Sequence, residues 1–268
     1  MTDQTDLYWN IPEITDVRKL RTGDMPGDKI DISLKHIQKA QVLIQEVMRW
    51  LAFIPEEQSQ SKYVISIYGG SGVGKSEIAS VLAYYLNYFN IGTYILSGDN
   101  YVKLRPKKND AKRAEILEKY GVEGLNKFLG SDEEMDFEAL NDVISQFKSG
   151  KDLIHLKRLP RDSDISWMDL INFSKNSVLI IEWTHGNNPR LKGVDFPIYL
   201  HSTPQETLEH RKKRNRDKNT DSPLIAQVLE LEQKKLNAQA IFAKIILSKQ
   251  GELLNYGDYR FLDHGGRR

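Results

Sequence analysis

One octet, GGSGVGKS at residues 69–76, constrains this chain more than anything else in it. It matches the pattern G-x-x-x-x-G-K-[ST] between a strand-like run, YVISIYG (63–69), and a helical pattern that reaches about Asn87. Gly70, Gly72 and Gly74 allow the backbone to curl until successive N–H groups point inward at phosphate oxygens. The helix that follows adds its partial positive charge. Within this cradle, formed by Gly69, Gly70, Ser71, Gly72, Val73, Gly74, Lys75 and Ser76, the Lys75 ammonium is placed to reach β- and γ-phosphates and the Ser76 hydroxyl to ligate Mg²⁺.

Around that loop, apolar runs alternate with helical stretches. GTYILS (92–97), SVLIIEW (177–183), DFPIYLH (195–201) and AKIILSK (243–249) read as further strands. Helical patterns are predicted near 112–129, 136–149, 204–216 and 223–240, with 102–112 as a polar connection. The alternation predicts an α/β fold with a mostly parallel five-stranded sheet covered by helices on both faces. Ligands bind beyond the C-terminal strand ends of such sheets. Residues 1–60 form an N-terminal extension. It is irregular to about residue 30, then carries an amphipathic helix with Ile37, Ala40, Ile44, Val47, Met48 and Leu51 on one face. Packing on the core and a homodimer interface are both open to it. The kinase-sized remainder is 61–268, with 55–62 as a linker.

Composition narrows the partners. The chain has 268 residues, 38 basic and 37 acidic, so its +1 net charge offers no global field for nucleic acid or an anionic membrane. It has no cysteine, which excludes disulfides, a thiolate nucleophile and Cys-ligated zinc. The acidic start lacks the layout of a signal peptide, and no apolar run is long enough to span a bilayer, so the expected setting is soluble and cytoplasmic. An Asn-Lys-x-Asp guanine-reading motif is missing, and the strand 177–183 closes on Glu182 alone rather than on an acidic pair. A small-molecule kinase remains, with a non-catalytic or hydrolytic ATP-dependent switch as its rival.

The order GGSGVGKS, ILSGDNY, FEALNDVISQFKSGK, VLIIEWTHG, PIYLHSTPQETLEHRKKRNRD and AKIILSK, over about residues 63–249, resembles the group formed by uridine kinase, phosphoribulokinase and type I pantothenate kinase. The GDN triplet is similar to that of adenylylsulfate kinase. The resemblance implies ATP and Mg²⁺ as cofactors and a metabolite hydroxyl as acceptor. It carries Asp99, followed by Tyr101, to the position of the general base or of a water-mediated Mg²⁺ ligand. Glu182 falls in the Mg²⁺ or acceptor shell, with a structural salt bridge as its plainer role. Arg211, Arg214 and Arg216 fall in a basic lid helix near 204–218, where six cations crowd residues 211–218.

Two departures concern the acceptor. IHLKRLPRD stands where the group has a Pro-x-Tyr-Asp-like segment, and Trp183, Thr184 and His185 follow the strand-end Glu where the group has Gly. The cations of VKLRPKK and LKRLPR, among them Lys103, Arg105, Arg158 and Arg161, suggest an anionic acceptor beside the nucleoside, sugar and pantothenate-like alternatives. His185 is placed to touch substrate, and Trp183 reads as a packing residue or a pocket wall. SGDN at 97–100 also reads simply as a tight turn, with Gly98 chosen for positive φ.

Overall fold

Strands that are apolar throughout must be covered on both faces, and helices provide the cover. The computed structural model describes residues 8–55, 62–160, 165–214 and 222–263. Helix α1 (Leu34–Ala52) precedes β1 (Tyr63–Gly69), α2 (Lys75–Tyr88), β2 (Thr93–Ser97), α3 (Pro106–Phe128) and α4 (Phe137–Lys148). A hairpin of β3 (Leu153–Arg158) and β4 (Trp167–Asn172) follows, then β5 (Val178–Glu182), β6 (Phe196–Leu200) and α5 (Pro204–Arg214). The described chain closes with α6 (Pro223–Gln239), β7 (Ile245–Leu247), β8 (Leu253–Leu254) and α7 (Tyr256–Asp263).

The main sheet has the order β2-β5-β1-β6-β7-β8. Its first five strands are parallel neighbours, and β8 runs antiparallel to β7. Alternate residues of each central strand enter different cores. Ile65, Ile67, Val178 and Ile180 pack with α1 and α2, through Leu43, Ile44, Ile78 and Leu82. Val64, Leu179 and Ile181 pack on the opposite side with Phe137, Leu140, Ile144 and Phe147 of α4. Each such side chain contributes about 1.5–3 kcal/mol by leaving water. The spacing of α4's apolar residues makes one buried face, and the Asp136 carboxylate caps its start by accepting from the Ala139 N–H at 3.3 Å.

Several expectations need correcting. Among the described residues the sheet has six strands rather than five, because β8 adds an antiparallel edge. A second, two-stranded sheet occupies the basic stretch IHLKR and the residues after it. Its inner positions Ile154, Leu156 and Arg158 are buried while Leu153 and His155 are exposed, so the strand hides one face only. The helix predicted from 112 begins at Pro106, whose fixed φ suits a first helical turn, so most of the polar connection 102–112 is helical. Helix α1 packs directly on α2. Among the described residues no helix is long and apolar enough to cross a membrane.

Candidate active site

The register of the sheet brings the chemistry-bearing strand ends together. Glu182, the last residue of β5, lies opposite Ser97 of β2 on one side and Ile67 of β1 on the other. Neighbouring strands are about 4.8 Å apart, so the turn carrying Asp99 and the loop carrying Lys75 flank the Glu182 carboxylate.

The loop itself is shaped by what its glycines exclude. Gly72 (φ +78°) and Gly74 (φ +97°) hold left-handed backbone that L side chains rarely adopt. A Cβ on Gly72 would lie 2.7 Å from Cγ of Arg211, and one on Gly69 would lie 2.5 Å from the Leu200 carbonyl oxygen. Lys75 Nζ donates to the carbonyl oxygens of Gly69 and Gly70, each at 3.1 Å, which holds its ammonium over the loop. Ser76 Oγ donates to Glu182 Oε2 at 3.1 Å. Burial pushes the Glu182 carboxyl well above the ordinary carboxylate range; the Asp99 and Asp28 carboxylates add to the rise and Lys75 opposes it.

The loop residues fit a polyphosphate: a curled, side-chain-free backbone at the start of a helix, with a lysine folded over it. Ser76 and Glu182 fit Mg²⁺, a hard cation that takes one or two protein oxygens and completes its shell with water and phosphate. Among the described residues no group of three or more His, Asp or Glu could hold a metal by protein ligands alone.

The other candidates divide. Arg211 is brought to the loop; its NH1 donates to the Pro204 carbonyl at 2.8 Å and to Thr207 Oγ1 at 2.6 Å. Arg214 ends α5, with its side chain outside the described residues, and Arg216 and Arg161 also lie outside them. Lys103 is exposed in the connection after Asp99, and Arg105 precedes α3. Tyr101 and Trp183, each 1% exposed, are packed in the core cluster that includes Phe137 and Leu140.

Arg158 is not brought to the strand ends as a free cation. Its side chain is buried, with NH1 donating to Asp24 Oδ2 at 2.7 Å, Nε to Asp169 Oδ2 at 2.9 Å and NH2 to the Tyr94 hydroxyl at 3.0 Å. His185 is buried beside Gly130 and packs edge-on against Trp183. Burial drives its pKa down to about 4, against the pull of the Glu134 carboxylate, so it is neutral at pH 7. Gly98 does not take positive φ. It is glycine because a Cβ there would lie 2.1 Å from Trp183 Cγ.

With this geometry in view, comparison with known proteins places the chain. No family model matches it. Among solved structures, it is similar to a putative fructose transport system kinase from Silicibacter, with TM-score 0.52 and 17% identity, covering 77% of this chain and 95% of that one. A D-glycerate 3-kinase from Cryptococcus neoformans aligns with TM-score 0.53 and 12% identity over 83% of this chain and 98% of the other. Phosphoribulokinase from Rhodobacter spheroides gives TM-score 0.53 and 14% identity over 71% of each.

The fold is that of the P-loop kinases. At such low identity these likenesses establish the fold alone. A curated relative, the bifunctional alpha-galactosidase/sucrose kinase of Mediterraneibacter gnavus, is 42% identical over 219 residues, 81% of this chain. The chain spans 23% of that protein's length.

Four charged groups, Asp24, Glu134, Arg113 and Glu232, escaped the sequence reading. Asp24, from the irregular N-terminal segment, accepts from the Ser97 N–H at 2.7 Å, Asn100 Nδ2 at 3.0 Å and the Tyr94 hydroxyl at 3.2 Å, besides Arg158. Burial lifts its carboxyl to about 6, with Arg158 opposing. Glu134, fully buried, accepts from Arg113 Nε at 2.7 Å, Asn109 Nδ2 at 3.0 Å and the Gly130 N–H at 2.7 Å. Arg113 also meets Glu232 of α6 at 3.5 Å, and Glu232 lines the cleft shared by Gly70 and Arg211. The acidic run SDEEMD was the signal for Glu134. Asp24 had none beyond its place between Gly23 and Pro26.

Proposed function

We propose that this protein is an ATP- and Mg²⁺-dependent kinase that phosphorylates a hydroxyl of a small neutral sugar. The observation that carries the proposal is the shared wall at the strand ends. A phosphate cradle with Lys75 and Ser76 adjoins a strand-end carboxylate, Glu182, whose neighbour across the sheet begins the turn bearing Asp99. Phosphoryl transfer needs positioning and charge compensation rather than covalent help. Lys75 holds the β- and γ-phosphate oxygens and Arg211 compensates charge on the transferred group. Ser76 and Glu182 would hold Mg²⁺, which would neutralise part of the phosphate charge. Asp99 orients the acceptor hydroxyl and takes its proton as the oxygen attacks the γ-phosphorus. The bond from that phosphorus to the bridging oxygen breaks, and ADP leaves.

The nucleoside half of ATP is assigned to a groove of about 890 Å³ beside the loop, lined on one side by Gly72, Val73, Ser202, Thr207, His210 and Gln250 and on the other by Ser33, His36 and Lys39 at the start of α1. The acceptor is assigned to the β2–β5 side. A neutral polyol suits that side better than an anion. Arg158 is engaged by Asp24 and Asp169, and the Asp28 and Asp99 carboxylates near Glu182 create a negative field. The sucrose kinase named in the curated relative supports the same class.

Acceptor-dependent ADP release, measured with sucrose, other neutral sugars, sugar phosphates, nucleosides, pantothenate and adenylylsulfate, tests the proposal. Release with a neutral sugar that Asp99→Asn abolishes, while ATP binding persists, is the expected result. ADP release indifferent to every acceptor points instead to a nucleotide switch and overturns it.

A further inference from the structure

The N-terminal segment crosses the acceptor end of the sheet. A Cβ on Gly23 would lie 3.5 Å from Ile95 Cγ2 and 3.8 Å from Glu182 Oε1, so the backbone there runs alongside the strand-end carboxylate. The next residue, Asp24, has a buried side chain and divides its two oxygens between two pairs of partners. Oδ1 accepts from the Ser97 N–H and Asn100 Nδ2, which bracket Asp99 in sequence. Oδ2 accepts from Arg158 of β3 and from Tyr94. Asn100 is itself held from the other side, its Oδ1 accepting from the Leu159 N–H at 3.0 Å. The segment is anchored on either side of Asp24: Leu20 and Met25 are buried and the Asp28 N–H closes a turn onto the Met25 carbonyl at 3.2 Å.

We propose that Asp24 is a positioning residue for phosphoryl transfer: it fixes the Ser97–Asn100 turn on which Asp99 rides, and so makes the N-terminal segment part of the kinase site. The inference rests on the kinase reading above. Its physical basis is that a two-residue arm carries Asp99 beyond β2, and such an arm keeps a carboxylate in place only if both its ends are tied. The sheet ties Ser97 from one side. Asp24 ties the Ser97 N–H and the Asn100 side chain with one oxygen.

The division between the two oxygens gives the test its contrast. Asp24→Asn replaces one acceptor oxygen by an N–H₂ group, which cannot accept from Asn100 and Arg158 alike. Full-length variants are to be compared by ADP release with sucrose as the probe acceptor. Asp24→Asn should lower kcat about 100-fold, as expected for a misplacement of about 1 Å, with the KM for ATP within about twofold of wild type. Tyr94→Phe removes an Oδ2 contact and the acceptor of Arg158 NH2 but leaves Oδ1 and its two turn contacts in place, and should leave kcat within about twofold. A purely structural Asp24 would instead lower the melting temperature while leaving kcat per folded molecule unchanged, and that result overturns the inference.

Because Asp24→Asn leaves the buried Arg158 with Asp169 as its remaining carboxylate partner, the doubly neutral Asp24→Asn/Arg158→Met variant serves as a second probe and should show the same kcat loss. If wild type releases no ADP with any sugar, the kinase reading itself fails and the inference falls with it. Wild-type turnover that survives in both Asp24 variants overturns the inference alone.

Discussion

Replacing Gly98 by alanine places one methyl group against an indole that cannot retreat. The new Cβ would lie 2.1 Å from Trp183 Cγ, 2.4 Å from Cδ2 and 2.5 Å from the Trp183 Cβ. Ordinary contact begins near 3.4 Å, so turn and indole must separate by more than 1 Å. Trp183 is 1% exposed and is backed by Phe137, at a ring-centroid distance of 5.3 Å, and by His185 at 5.2 Å. The turn therefore has to move, and Asp99 moves with it. Overpacking of this kind costs about 1–3 kcal/mol, and a shift of about 1 Å at the base costs about 100-fold in turnover. Urea denaturation gives the first figure and acceptor-dependent ADP release the second. Gly98→Ala combined with Trp183→Leu should lose less stability than the sum of the single changes, because the smaller side chain makes room for the methyl. A Gly98→Ala variant with the wild-type denaturation midpoint and wild-type turnover would refute the claim that this close approach sets the turn.

Other consequences can be measured on the same protein. Lys75→Met should reduce transfer by about 10²–10³-fold, the usual cost of removing one positioned cation or donor from developing charge, without altering the circular dichroism spectrum. His185 should make the fold acid-sensitive. Its folded pKa of about 4 lies below the unfolded value near 6.5, so the unfolded chain binds the proton more readily. Stability is thus complete above about pH 6.5 and falls toward pH 4 by up to about 3 kcal/mol. His185→Gln should flatten that decline in denaturation curves taken from pH 7 to pH 4; an identical decline assigns it to other groups. Arg113→Met leaves Glu134 buried without its cation and should cost about 3–5 kcal/mol in unfolding free energy, whereas Arg190→Met, whose partner Asp132 is solvent-exposed, should cost less than about 1 kcal/mol.

Legibility in this sequence follows the range over which each residue's partner is found. The phosphate loop is a local structure: strand, curl, lysine and helix lie within one continuous stretch, and the apolar runs of β1, β5 and β6 announce themselves because both faces are buried. The β3–β4 hairpin was invisible for the opposite reason. It hides one face only, leaves Leu153, Met168 and Leu170 exposed on the other, and sets Arg158 among the buried positions, so its cations read as a basic loop. The pairing of Arg158 was hidden with it, since a row of cations in sequence says nothing about a carboxylate 134 positions away.

Gly98 shows the same limit in a subtler form. Among SGDN neighbours a glycine suggests a turn, yet what requires glycine is the indole of Trp183, just past the end of β5, a strand that β2 meets only in the folded sheet. Asp24 is the extreme case. Nothing near it in sequence distinguishes it from solvated turn residues, while its contacts reach 73 residues to Ser97 and 76 to Asn100. A phosphate can be gripped by consecutive backbone amides, so the residues that bind it appear as a motif. An acceptor hydroxyl has to be aimed relative to that phosphate across two strand ends, and the groups that do the aiming are necessarily drawn from elements far apart in the chain.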